Sequence, residues 1–304
     1  MLTKLVIENF RCIRNAEIAL GPMTVLVGPN ASGKTTILDA LNLKGPATLR
    51  DQSWRARARP KLTAIDTRRG VLNGPGGGPG ESWLTSGSQN LHLDVQRMRQ
   101  QNLLAHAANL DPVGDNLTNV FGSLTRNQQM ELSKTFCGLV PVFRDVDVAP
   151  TNQGQHELRF QDRWSESVWY RPSEVSDGTM LMLAYLILRF QQPQVELLTV
   201  EEPDRGLHPY LMEQLVGFFR MLSSGPPEGA SNPIQVVIAT HSAELLEYCL
   251  PEEVRFLDRD PKDGSVRVHQ VDTSSSDWEK TFAAYRQSLG SVWLSGGLGG
   301  VPGR

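Results

Sequence analysis

Eight residues, Gly28-Pro29-Asn30-Ala31-Ser32-Gly33-Lys34-Thr35, have the types and spacing to hold a polyphosphate. They fit G-x-x-x-x-G-K-[ST]. The glycines let the backbone curl until several N–H groups point at one phosphate. Lys34 brings a point charge to the β/γ-phosphates, and the Thr35 hydroxyl is a hard oxygen ligand for Mg²⁺. Thr36 continues into a helix whose positive end adds to the same anion site.

Three later patterns carry further chemistry. In Glu196-Leu-Leu-Thr-Val-Glu201-Glu202-Pro203 an apolar strand ends in adjacent carboxylates. One of them, beside a phosphate loop, orients Mg²⁺, and the other can hold an attacking water. A solvated acidic turn fits less well, because Leu197–Val200 reads as a buried strand and Pro203 stops it abruptly. In Gln235-Val-Val-Ile-Ala-Thr240-His241-Ser242 another apolar strand ends in a histidine, where ligands bind in open α/β sheets. A lone histidine at such a place is usually structural. Finally, Ser176-Asp177-Gly178-Thr179 opens the apolar run Met180–Leu188. That is a second helix N-terminus suited to phosphate, although taken alone it is only an N-cap.

Around these residues the chain must supply strands and helices. Met23–Val27 reads as the strand before the loop, and Ile37, Leu38 and Leu41 fit the helix after it, which stops near Lys44-Gly45-Pro46. Residues 2–9 and 17–27 read as strands joined by a turn near 11–15. Helical patterns fall at 91–110, with Leu103, Leu104, Ala107 and Leu110 on one face, and at 126–139. Strand character returns at 156–160 and 167–170. Residues 70–90, which contain the Gly/Pro run Gly74–Gly80, read as a mobile loop or linker. Residues 253–271 read as a hairpin, and Asp258-x-Asp260 in it as turn chemistry rather than a metal site. A helix near 277–288 and an apolar, glycine-rich tail at 289–300 close the sequence.

Composition narrows the field. The 304 residues carry a net charge of −3, so no global basic field points to nucleic acid. A local one exists: Arg50, Arg55, Arg57, Arg59, Lys61, Arg68 and Arg69 crowd around Trp54 and could contact DNA, or form an ordinary solvated surface. Cys12, Cys137 and Cys249 form no metal spacing or disulfide framework, which suits a reducing cytoplasm. No signal-peptide hydrophobic region is present, and Met180–Leu188 is too short to span a bilayer, so no membrane association is expected.

In this order the four patterns resemble the ABC-type ATPases. More closely they are similar to the soluble branch of RecF, the structural-maintenance-of-chromosomes (SMC) heads and the ATPase part of overcoming-lysogenization-defect (OLD) nucleases. Glu8-Asn9-Phe10-Arg11 resembles the opening of that branch, and Glu202-Pro203-Asp204-Arg205-Gly206-Leu207-His208-Pro209 its Walker B and D-loop region. The resemblance covers residues 1–44 and about 172–258. It implies one α/β P-loop NTPase domain, an ABC-type head with a mixed β-sheet core and an antiparallel β subdomain. The core would be 1–44 and 171–272, with an inserted helical region at 45–170 and a tail at 273–304.

The resemblance also implies roles. Gly28 to Thr35 would be Walker A, with Thr35 and Glu201 on Mg²⁺. Ser176, Asp177, Gly178 and Thr179 would be the signature that meets the γ-phosphate on an opposite subunit. Glu202 would be the catalytic base, His241 the switch histidine that reaches the γ-phosphate, and Lys34 and His241 together would stabilise charge on the transferring phosphoryl group. Glu201 departs from the usual aspartate by one methylene, and the Q-loop falls on no clear residue, with Gln89 and Gln96 as candidates. The implied function is Mg²⁺-dependent ATP hydrolysis in a head-to-tail homodimer through an ATP sandwich. It would be coupled to a separately encoded, nuclease-like effector in DNA processing or phage defence. An ATP-dependent scaffold and a transporter ATPase subunit are the alternatives. The signature lacks the Gly-Gly-Gln ending of transporters.

Overall fold

The computed structural model describes residues 1–43, 53–54, 59–74, 87–225 and 233–296. In chain order the first elements are β1 (Leu2–Phe10), β2 (Ile13–Ala19), β3 (Met23–Val27), α1 (Lys34–Asn42), β4 (Lys61–Asp66), β5 (Gly70–Gly74) and β6 (Ser88–Leu91). Next come α2 (Val95–Met98), α3 (Leu117–Ser123), α4 (Arg126–Leu139), β7 (Phe143–Pro150), β8 (His156–Asp162), β9 (Trp169–Tyr170) and α5 (Asp177–Ile187). Then follow β10 (Leu197–Glu201), α6 (Pro209–Ser224), β11 (Gln235–Thr240), α7 (Ala243–Leu246), β12 (Val254–Arg259), β13 (Val266–His269), α8 (Ser276–Ala284) and α9 (Leu289–Leu294).

The chain divides into two units. The first comprises residues 1–90, 195–202 and 233–304. Its six-stranded sheet has the order β13-β12-β3-β11-β10-β6, with β12, β3, β11 and β10 parallel and β13 antiparallel at one edge. A second sheet, β2-β1-β4-β5, is antiparallel throughout. Leu5, Ile7 and Ile18 of that sheet share one core with Ile37, Leu38 and Leu41 of α1 and with Leu26, Val237 and Leu257 of the six-stranded sheet. β3, β10 and β11 lack the polar alternation of a solvated strand because they are buried along almost their whole length.

The second unit comprises residues 91–194 and 203–232. It is built around α5, buried from Gly178 to Ile187 and packed against α2, α3, α4 and α6. The antiparallel sheet β7-β8-β9 places Phe143 and Phe160 against Phe136 of α4, with ring centroids 5.4 to 6.2 Å apart.

The structure departs from the sequence reading at several elements. The expected strand 17–27 is two strands in different sheets, broken at Gly21-Pro22, where proline offers no N–H to a ladder. The helix expected at 91–110 is a single turn, α2. Leu103 and Leu104, read as part of its buried face, are 70 and 72 % exposed, so their spacing reflects no packing. The segment 70–90 begins and ends in strands, β5 and β6, although 75–86 lie outside the described residues. β4 pairs with β1, and β5 pairs with β4. The stop signal at 44–46 also lies outside the described residues. The tail contains α9, whose Leu289, Val292 and Trp293 are buried and which packs on α7. All three cysteines are free thiols, with Cys249 buried and the others half-buried. Among the described residues no helix is long and apolar enough to cross a membrane.

Candidate functional site

The parallel register decides what meets at the loop. Thr240 of β11 pairs with Val27 of β3, and Ala239 with Glu201 of β10, so three strands end in one row. Gly28 to Gly33 leave β3 at that row, and Glu201, Glu202 and His241 stand at the ends of the other two strands.

The loop is tightly held. Ala31 and Gly33 have φ of 63° and 106°, and Gly33 occupies the N-cap of α1 with no side chain in the way. A Cβ on Gly28 would lie 2.5 Å from the Leu257 carbonyl oxygen and 2.7 Å from Ser32 Oγ. Ser32 Oγ is buried with no hydrogen-bond partner among the described residues. Lys34 is buried and donates to the carbonyls of Gly28 and Pro29 at 2.8 and 2.9 Å. Burial lowers its pKa from the usual lysine value, and Glu202 and Glu201 oppose that shift.

Two carboxylates stand at the end of β10. The Thr35 hydroxyl donates to Glu201 Oε1. Glu202 lies just past the strand with a left-handed backbone, φ 47°, and its N–H donates to the Ala239 carbonyl at 2.8 Å. His241 Nδ1 is 3.0 Å from Glu202 Oε1. Ser242 accepts from Leu245 N and caps α7, which fixes the chain immediately after His241. The donor set suits a magnesium nucleotide: hard oxygens on Thr35 and Glu201, a glycine cradle that a Cβ would fill, an orphaned Ser32 hydroxyl and a buried ammonium.

Ser176 to Thr179 belong to the second unit. Ser176 caps α5, with its hydroxyl 3.2 Å from Thr179 N and 2.8 Å from Thr179 Oγ1. A Cβ on Gly178 would come 2.9 Å from the Gly206 carbonyl oxygen, so this turn and the residues after Glu202 approach closely. His208 caps α6 through Nδ1, 3.3 Å from Tyr210 N. Gln89 lies in β6 and Gln96 in α2.

Sequence reasoning missed two arginines. Arg259 at the end of β12 donates to the Ala31 carbonyl at 2.8 Å and to the Cys12 carbonyl at 3.2 Å. With Cys12, Thr36 and the loop it lines a cleft of about 120 Å³ beside Gly33. Arg99 at the end of α2 reaches the turn before α5. Neither is near its partner in sequence. Within the basic stretch, Lys61 pairs with Glu8 and Arg69 with Glu196, while Arg50, Arg55 and Arg57 lie outside the described residues. Asp258 is held by Arg267 at 2.6 and 2.9 Å and by His269 at 3.2 Å, a hairpin clamp, and among the described residues no cluster of three or more His, Cys, Asp or Glu could hold a metal.

A family model described as "AAA domain, putative AbiEii toxin, Type IV TA system" matches residues 101–247, and an "AAA ATPase domain" model matches 1–65. Together these matches support a P-loop ATPase domain of the AAA type, with neither model alone covering half of the chain. Its fold is an α/β P-loop NTPase fold with a mixed-sheet core, resembling an ABC/SMC-type head. The SMC head bound to the C-winged helix domain of ScpA superposes with a TM-score of 0.59 at 14 % identity, over 92 % of this chain and 99 % of that one. The head from Pyrococcus furiosus, bound to the C-terminal domain of ScpA, gives 0.57 at 11 % identity, over 94 and 99 %. In sequence, the ATPase domain is 54 % identical to an OLD nuclease of Thermus scotoductus over 43 residues, 14 % of this chain and 8 % of that protein. It is 53 % identical to the DNA replication and repair protein RecF of Erwinia tasmaniensis over 74 residues, 24 % of this chain and 19 % of that protein. The ATPase domain therefore matches less than a fifth of either curated relative's length, and it is a distant relative of the RecF, SMC-head and AbiEii-like ATPases.

Proposed function

We propose that the chain binds and hydrolyses ATP at a composite site made by two copies, and that this acts as a switch for a separate effector. The observation that carries the reading is that Glu201, Glu202 and His241 stand at the ends of β10 and β11, in one row with the end of β3 from which the Gly28–Lys34 loop departs. The glycine-lined loop offers its N–H groups to the β-phosphate, and Lys34 swings from its loop carbonyls to the β/γ oxygens. Glu202 orients a water for in-line attack and draws off its proton, while His241 holds the Glu202 carboxylate and faces the γ-phosphate. Thr35 and Glu201 would hold Mg²⁺, which when bound screens charge on the transferring phosphoryl group. Ser176 to Thr179 of one copy would close over the γ-phosphate held by the other, in a head-to-tail dimer. The likeness to proteins named OLD nuclease and RecF supports an effector that is nuclease-like or DNA-associated.

The test is turnover and oligomeric state of the full chain with and without Glu202→Gln. Wild-type protein should release phosphate from ATP. The variant should bind ATP, hydrolyse at least about a hundredfold more slowly and elute as a dimer. Normal turnover in Glu202→Gln overturns the assignment. ATP-driven dimerisation with negligible wild-type turnover would leave a scaffold instead.

A further inference from the structure

We propose that Arg99 is a positioning residue for the turn Ser176–Thr179, and that it also cancels the charge of Asp177 so that a polyphosphate can approach α5. This rests on the composite-site reading above.

One guanidinium makes every contact. Arg99 Nε donates to the Pro172 carbonyl at 3.0 Å, and Nη2 donates to the Val175 carbonyl at 2.7 Å. The same nitrogen lies 2.8 Å from Asp177 Oδ1. The three partners bracket the segment that leads into α5. A 3₁₀ turn spans Pro172–Glu174, in which Glu174 accepts from Arg171 N, and Pro172 and Val175 are buried. Arg99 therefore anchors both ends of the approach to Ser176.

The anchor is itself fixed. Arg99 ends α2, a single turn capped by the Asp94 carboxylate, which accepts from Gln96 N and Arg97 N. Met98 beside it is 1 % exposed, and a Cβ on Gly114 would lie 2.8 Å from its Cγ. Asp94 N donates to the Val113 carbonyl at 3.0 Å. On its other side the turn meets Gly206 and Leu207 at Gly178. Residues 177–179 are thus held between a charged fork and a backbone contact.

The electrostatics give the fork its second task. Asp177 in the first turn of α5 favours the helix dipole but repels an anion approaching the same N–H groups. Its side chain is 56 % exposed, whereas that of Arg99 is 17 % exposed. The half-sheltered guanidinium sits against the Asp177 carboxylate and offsets its charge. A lysine's three donors radiate from a single nitrogen, so it cannot reproduce the spread fork in which Nε and Nη2 reach the carbonyls of Pro172 and Val175.

The experiment uses the full chain in the Glu202→Gln background, with ATP affinity of the single subunit and ATP-driven dimerisation measured separately. Arg99→Ala should leave subunit ATP affinity within about twofold and weaken dimerisation about tenfold or more, the scale of a lost charge-assisted hydrogen bond. Adding Asp177→Asn should recover much of that loss, which a purely structural role would not allow. Arg99→Lys, which keeps the aliphatic stem, should also weaken dimerisation, and it carries the test if Arg99→Ala does not fold. Unchanged dimerisation in the arginine variants, or a loss that Asp177→Asn leaves untouched, overturns the proposal. If Glu202→Gln with Arg99 intact does not dimerise with ATP, the composite-site reading fails first, and the proposal with it.

Discussion

His241 Nδ1 lies 3.0 Å from Glu202 Oε1 and links the ends of two neighbouring parallel strands. The Glu202 backbone is already fixed by its left-handed conformation and its bond to Ala239, so the histidine restrains what is left, the carboxylate. His241→Ala should lower kcat about 10- to 100-fold with KM changed less than about threefold, because the lost contact acts on attack rather than on ATP binding. Steady-state kinetics decides it, and a rise in KM at constant kcat would place His241 in ground-state binding instead.

Glu201 reaches the Thr35 hydroxyl directly, so the extra methylene relative to aspartate is used. With the backbone fixed by β10, Glu201→Asp draws the carboxylate back and breaks that contact. The half-saturating Mg²⁺ concentration for ATP hydrolysis should rise about 10- to 100-fold, the size expected when the contact that orients a metal ligand is lost. Thr35→Ala should raise it at least as much, and chelation of Mg²⁺ should abolish turnover. A Glu201→Asp enzyme with unchanged Mg²⁺ dependence would show that the longer side chain has no such role.

The parts of this site that lie within one short stretch, or at the end of one buried strand, could be read from sequence. Val236–Ala239 and Leu197–Val200 are apolar because they are buried on both faces, and that run announces where each strand stops. Arg99 and Arg259 could not be read in this way. Their carbonyl partners lie 76 and 228 positions away, and carbonyls carry no residue identity. The false helix at 91–110 has another cause. Spacing reports apolar residues, not burial, and the backbone there is satisfied by side chains instead: Asn119 donates to the Leu103 carbonyl at 3.0 Å and Asn102 to that of Asp115 at 2.9 Å.

Lys34 should make ATP binding depend on alkaline pH. Burial holds its pKa below the ordinary lysine value, with Glu202 and Glu201 only partly offsetting this, and a triphosphate would favour the ammonium again. ATP binding should therefore take up a proton in the window between the depressed and the ordinary value, and affinity should fall as pH rises through it. Calorimetry in buffers of different ionisation enthalpy measures that proton, and Lys34→Arg should remove the pH dependence. The folded state binds fewer protons than the unfolded one here, so this group alone makes stability of the nucleotide-free protein rise with pH across the same window. Proton release on binding would contradict the assignment.

Two glycines test how the tail is attached. A Cβ on Gly290 of α9 would lie 2.3 Å from the Ala243 carbonyl oxygen and 2.6 Å from Glu247 Oε1, the atom that accepts from Gly290 N at 2.9 Å and from Ser288 Oγ at 2.7 Å. Gly290→Ala must push α9 off α7, because the Ala243 contact is with backbone and cannot rotate away. A loss of about 1–3 kcal/mol is expected, the cost of overpacking. Gly217 in the middle of α6 meets nothing within 4 Å, so Gly217→Ala should stabilise by about 0.5–1 kcal/mol through the helix preference for alanine. Thermal and urea unfolding of the two variants should move in opposite directions. Because α7 begins two residues after His241, Gly290→Ala should also lower turnover while Gly217→Ala leaves it unchanged. If Gly290→Ala unfolds like the wild type, α9 is not seated on α7 in solution.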